Sequence, residues 1–217
     1  MAKKNLNRGI FITFEGPEGC GKSTHARALY KFLRSRLYKC VLTREPGGTR
    51  CGEEVRRILL HSDGVEISDM AELFLFEAAR AEIVEEVIRP ALAKGNIVIC
   101  DRFGDATVSY QGYAGGIDIA AIESVNKIAT GGLEPDITVL LDIDTMTGLK
   151  RAKAKGVDRM ERKAFAYHDR VRRGYLKLAK RHPRRIKIIK VKKTIADTQK
   201  LVRSEVGRVI QGYKRSG

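Results

Sequence analysis

After an apolar run, Gly9–Phe14, and before a stretch with helical spacing, the chain reads Gly16-Pro17-Glu18-Gly19-Cys20-Gly21-Lys22-Ser23-Thr24. Residues 16–23 fit the pattern of a glycine, four residues, then Gly-Lys and a hydroxyl side chain. Glycines let successive backbone NH groups turn inward around an anion without Cβ clashes. The helix that follows presents its unpaired NH groups and positive dipole end to the same anion. In such a loop Lys22 bridges the β- and γ-phosphates, and the Ser23 hydroxyl completes a magnesium shell. The segment predicts a site for a nucleoside triphosphate. Hydrolysis, transfer and mechanical work all use such loops, so the reaction stays open at this point.

Other reactive side chains occur in three further segments. One is Thr43-Arg44-Glu45-Pro46-Gly47-Gly48-Thr49, which runs on to Arg56. A second holds Phe76 and Arg80, four residues apart and so on one helical face, where a ring can stack on a base while a guanidinium donates to a base carbonyl. The third opens on Asp101-Arg102 directly after an apolar run and continues through Thr107, Tyr110 and Gln111. The four histidines (His25, His61, His168, His182) match no catalytic motif. Transfer between phosphates needs alignment and charge neutralisation more than a strong base, so no general base is assigned.

These segments need a scaffold that brings them to one edge. Five apolar runs read as strands: Gly9–Phe14, Cys40–Thr43, Asn96–Cys100, Ile137–Ile143 and Ile186–Val191. Between and after them, apolar residues at three- and four-residue spacing predict helices over Lys22–Leu37, Gly52–His61, Ser68–Ala93, Ile119–Thr130, Met146–Lys155, Lys163–Arg181 and Ile195–Tyr213. Ser68 is an N-cap candidate, with Asp69 and Glu72 in the first turn. Continuously apolar strands alternating with helices predict an α/β chain: a five-stranded parallel sheet with helices on both faces, of the P-loop NTPase type. Its chemistry should gather at the carboxyl ends of the strands. No linker or internal repeat divides the 217 residues, which are read as one domain with residues 1–8 as a flexible extension.

Composition excludes several classes. No apolar stretch nears the roughly 20 residues that cross a bilayer, and the basic start lacks the apolar core of a signal peptide. Four scattered cysteines without CxxC spacing argue against a structural zinc site and suit a reducing, cytoplasmic setting. Cys40 and Cys100 read as core residues, whereas Cys20, within the glycine-rich loop, reads as a reactive thiol with no catalytic role. The net charge of +16 is uneven: from Lys150 onward 24 basic residues face 5 acidic ones, while the first 149 residues carry 18 against 21. A basic end of this kind suits a collector of polyphosphate substrates, a solvated face or a nucleic-acid surface.

Taken together, FEGPEGCGKST, TREPGGT, the FxxxR pair and DRFGDATVSYQG resemble, in content and order, thymidylate kinases of the bacterial type, across about residues 9–213. The resemblance implies phosphorylation of dTMP to dTDP with ATP and Mg2+ as cofactors, in a homodimer; no membrane is expected as a partner, and a nucleic acid is disfavoured. It assigns residues 16–24 to ATP. It places Phe76 on the thymine ring, Arg80 on its O4, and Thr107 and Gln111 on polar groups of the base. Tyr110 lies near the sugar 2′ position and disfavours ribose, and Glu45 and Arg56 border the dTMP phosphate. Asp101 acts through magnesium, with Ser23, or through an acceptor contact, and Arg102 neutralises phosphate charge. The basic stretch 149–160 resembles the lid of this family, and Arg151 and Arg159 become its catalytic arginines because residues 16–23 contain none. Arg44 and Arg57 are left as structural or surface charges.

Two positions depart from the family pattern. Gly115 stands where an arginine is frequent, and Ala106 where a serine is. Both lie beside the acceptor segment, which keeps a kinase for dUMP or a modified pyrimidine monophosphate as an alternative. A nucleic-acid-binding P-loop module is a further one, opposed by the helical spacing of the basic third and its lack of an aromatic stacking platform.

Overall fold

The computed structural model describes residues 8–61, 66–154, 159–160 and 162–215. Residues 1–7 of the expected extension and 155–158 of the expected lid lie outside the described residues. Residue 8 pairs its guanidinium with Asp136 at 3.0 Å.

Five strands form a single parallel sheet: β1 (Ile10–Glu15), β2 (Cys40–Arg44), β3 (Ile97–Asp101), β4 (Ile137–Asp142) and β5 (Ile186–Lys190), in the order β2-β3-β1-β4-β5. The strands are apolar on both faces because both faces are covered. From β1, Ile10, Ile12 and Phe14 pack with Leu29 and Leu33 of α1 (Lys22–Ser35) and Val202, Val206 and Ile210 of α9 (Ile195–Arg215). Phe11 points the other way, into a cluster with Ile83, Ile88 and Val98. That face is covered by α2 (Arg50–His61), α3 (Asp69–Ile83), α4 (Arg89–Ala93), α5 (Gly104–Thr107), α6 (Ile119–Thr130) and α8 (Phe165–Arg181). A shorter helix, α7 (Thr145–Lys153), follows β4.

Chain direction puts the chemistry at one edge. Phe14 of β1 is in register with Asp101 of β3, and Glu15 with Leu140 of β4. The phosphate loop, the Glu45 loop and Asp101-Arg102 therefore leave the sheet side by side, at the point where the chain turns to opposite sides of β1.

The strand and helix expectations hold to within a few residues, with two differences. The run 69–93 is not a uniform helix but passes through a π-turn at Val84–Ile88. Pro90 follows directly, and a proline there can neither donate to the carbonyl four residues back nor avoid clashing with it. The wider π-turn shifts that register. The second difference is the helix over 104–114, α5 continuing into a π-turn at Val108–Ala114, which carries Thr107, Tyr110 and Gln111. Its glycines at 104 and 112 weaken the propensity signal, so the sequence shows the chemistry of this segment but not its helix. Ser68 caps α3 as expected, accepting from the Ala71 NH at 3.4 Å. In α8, Val171, Tyr175 and Leu178 are buried, but Phe165 is exposed.

Candidate active site

A cleft of about 660 Å³ opens at the carboxyl edge of the sheet. Its donor end is the phosphate loop. Lys22 starts α1 and folds back over the loop, donating to Gly16 O at 2.9 Å and Pro17 O at 3.0 Å. Gly19 has φ +67°, and a Cβ there would sit 1.9 Å from the carbonyl oxygen of Gly148 in α7. The loop and α7 therefore touch backbone to backbone. The Ser23 hydroxyl donates to the Asp101 carboxylate, which joins the two expected oxygen ligands for a magnesium ion. Hard oxygen donors of this kind suit Mg2+, which keeps several waters of its own.

Cys20 does not behave as a reactive thiol. Its side chain is 1% exposed, and burial pushes its pKa up against the pull of Lys22 and Arg102. The side chain is turned into the core with Phe14 and Ala26, so desolvation decides. Cys40 and Cys100 are core residues as expected, and all four cysteines are free thiols.

Between the donor and acceptor ends stands Arg102, whose backbone has φ +74°, a conformation uncommon outside glycine. This turn points the guanidinium at the phosphate loop, where it donates to Glu18 at 2.6 Å and lies over the Tyr110 ring at 5.0 Å. The Tyr110 hydroxyl donates to the same Glu18 oxygen at 2.6 Å. Burial raises the pKa of Glu18, but Arg102, Lys22 and the Tyr110 hydrogen bond outweigh it and hold the carboxyl at about 2. Beneath them, Glu15 accepts from the Phe103 NH at 2.7 Å and the Tyr175 hydroxyl at 2.7 Å.

The acceptor end is built on α3. Phe76 and Arg80 both line the cleft, as the helical spacing predicts. Arg80 is buried and already engaged. Its Nε and Nη2 donate to Glu45 at 2.9 and 2.7 Å, and its Nη1 serves Thr107 at 2.9 Å, Asn126 at 2.6 Å, and Glu77. Burial pushes Glu45 up to about 7, with one guanidinium shared between two carboxylates, while Arg80 is held firmly charged. Arg56 donates to Pro46 O at 2.9 Å and lines the cleft. Gln111 lines it too, donating to Glu72 at 2.7 Å. Arg44 pairs with Glu53 and Arg57 with Glu54 at the surface, as expected.

Neither lid arginine lines the cleft in this structure. Arg151 is exposed on α7 and does not line the cleft. Arg159 is turned away from the phosphate loop, with its Nε donating to Leu59 O at 2.7 Å and Nη2 paired with Glu72. Glu72, buried and paired with no other cation among the described residues, captures it. The sequence marks Glu72 only as a first-turn charge. Its spacing of four from Phe76 and eight from Arg80 puts it on their helical face, where it backs the cleft-lining Gln111. Asn126, behind Arg80, carried no such signal.

A glycine-rich loop between β1 and α1, at the switch point of a 2-3-1-4-5 parallel sheet, defines a P-loop nucleotide-binding protein of the α/β class. The sequence matches the family described as thymidylate kinase over residues 14–202. It is 43% identical over 220 residues to a thymidylate kinase of Roseiflexus sp. (strain RS-1), covering 95% of this chain and 96% of the relative. With one from Geotalea daltonii it shares 46% over 206 residues, 91% of this chain and 96% of the relative. A crystal structure of thymidylate kinase from Ehrlichia chaffeensis superposes with a TM-score of 0.75 at 37% identity, covering 94% of this chain and 99% of that one. The chain belongs to the thymidylate kinase family.

Proposed function

We propose that the chain phosphorylates dTMP to dTDP, with ATP as donor. An oxygen of the dTMP phosphate attacks Pγ of ATP, the bond from Pγ to the β,γ-bridging oxygen breaks, and ADP departs with that electron pair. The observation that carries this reading is one continuous cleft, with a phosphate loop at one end and Phe76, Arg80, Thr107 and Gln111 at the other. Arg102 stands between them, where charge builds in transfer. Lys22 leaves the Gly16 and Pro17 carbonyls for the β- and γ-phosphates. Residues 16–24 bind ATP, and Glu45 and Arg56 act at the acceptor end, Glu45 through Arg80. Ser23 and Asp101 hold Mg2+, which neutralises phosphate charge. Arg151, one turn after Gly148 on α7 and outside the cleft here, joins Lys22 and Arg102 at the transferred phosphoryl group when the basic stretch closes over the loop. Arg159 is assigned to Glu72, behind the acceptor wall.

Exposed Ile58 of α2 and Met70 and Phe74 of α3 support a homodimer through this apolar face. No described helix is long and apolar enough to cross a membrane, and free thiols fit a cytoplasmic enzyme. The test supplies purified protein with ATP, Mg2+ and a panel of dTMP, dUMP, dCMP and dGMP, with sedimentation of the same sample. Selective dTDP formation by a dimer is expected. Absence of selective dTDP formation overturns the assignment.

A further inference from the structure

One carboxylate behind the acceptor wall has no role in the reaction above. Glu72, in the first turn of α3, is 2% exposed. One of its oxygens accepts from Gln111 Nε2 at 2.7 Å, and the other pairs with Arg159. Arg159 is itself anchored to Leu59 O at 2.7 Å. A carboxylate paired with a guanidinium offers acceptors only. Gln111 must therefore turn its NH2 group towards Glu72, which leaves Oε1 for the cleft. No described residue donates to that oxygen. Thr107, one turn earlier and also on the cleft, accepts from Arg80 at 2.9 Å and keeps its own hydroxyl proton to give.

The wall thus presents an acceptor beside a donor. A 2,4-dioxopyrimidine matches it, with N3–H facing the Gln111 oxygen and O4 taking the Thr107 hydroxyl on one lone pair beside Arg80 on the other. Cytosine reverses both groups, offering a bare N3 and an amine. Were the Gln111 amide free to turn over, its NH2 would donate to cytosine N3, and half of the discrimination would vanish.

We propose that Glu72 is a positioning residue for base selection. It locks the Gln111 amide with its oxygen towards the cleft, and Arg159 holds the Glu72 carboxylate in place. This inference rests on the kinase reading of the same cleft.

The experiment compares kcat/KM for dTMP, dUMP and dCMP in the wild type and in Glu72→Gln. The glutamine can donate as well as accept, which frees the Gln111 amide. The dTMP-to-dCMP ratio is expected to narrow about tenfold or more, with dTMP and dUMP falling together and KM for ATP changing less than about twofold. In a Gln111→Ala background the same change should leave the ratio where Gln111→Ala alone puts it. An unchanged ratio in Glu72→Gln, or one that shifts equally with and without Gln111, overturns the inference while leaving the kinase reading intact. A wild type that makes no dTDP defeats the kinase reading instead. Should Glu72→Gln fail to fold, wild type with N3-methyl-dTMP decides. A loss of about a hundredfold supports an acceptor facing N3, and a loss under about tenfold removes it and the proposal.

Discussion

Arg80 shows how one residue serves recognition and folding together. The FxxxR spacing correctly puts it on the cleft with Phe76, but spacing is silent on what lies behind a side chain. Behind this one lie Glu45 and Glu77, both buried, each with a carboxylate oxygen that has no partner among the described residues. Removing the guanidinium strands two carboxylates in a desolvated site. Arg80→Ala is therefore expected to lose about 3–5 kcal/mol of stability, measured by urea unfolding, as well as dTMP affinity. Arg80→Lys should recover only part, because one ammonium cannot reach acceptors in the loop after β2 and on α3, α5 and α6 at once. An Arg80→Ala variant as stable as wild type would contradict the ion cluster. Cys20 makes the complementary point, since its neighbours in sequence suggest a lowered thiol pKa and its burial raises it.

At the scale of elements, the phosphate loop is held by helix α7 as well as by its own glycines. Gly148 meets it without a side chain, and a Cβ there would lie 2.4 Å from Glu18 O. Alanine is the better helix former by about 1 kcal/mol, so Gly148→Ala should favour an isolated α7. In the folded protein it must push α7 from the loop. The expected result is a rise of about tenfold or more in KM for ATP with a smaller change in KM for dTMP, read from steady-state kinetics. Equal effects on both would mean that α7 does not set the loop. This contact pairs Gly148 with Glu18, 130 positions apart, and no local pattern announces it. The five strands and most helices were legible because apolar spacing records which side of an element faces the core. The helix over 104–114 was not, because its glycines and its chemistry obscure that spacing.

Across the whole molecule, buried acids link stability to pH. Burial, then the nearby Asp105 charge, pushes Glu15 up to about 8 against the pull of Tyr175, Arg102 and the Phe103 NH. Unfolded, it ionises near 4.5. Between these values the folded chain holds a proton that the unfolded chain has released, so this contribution is whole below pH 4.5 and is lost as pH rises through about 8. Glu18, held at about 2, acts in reverse: its contribution is present above pH 4.5 and is lost as pH falls through 2. Unfolding in urea at pH 5.5 and 8.5 should show wild type losing stability with rising pH and Glu15→Gln losing measurably less. Equal slopes would refute the role of Glu15. The order of strands, the anion loop and the membership of most cleft residues were readable in the chain itself, since periodicity and glycine placement are local consequences of backbone geometry. What folding alone settles is which charges meet. Arg159 goes to Glu72 rather than to the phosphate loop, Glu18 is gripped by Arg102 and Tyr110, and Arg80 is shared by two acids. Coulomb energy and desolvation depend on distances through space between residues far apart in the chain, and a sequence does not carry those distances.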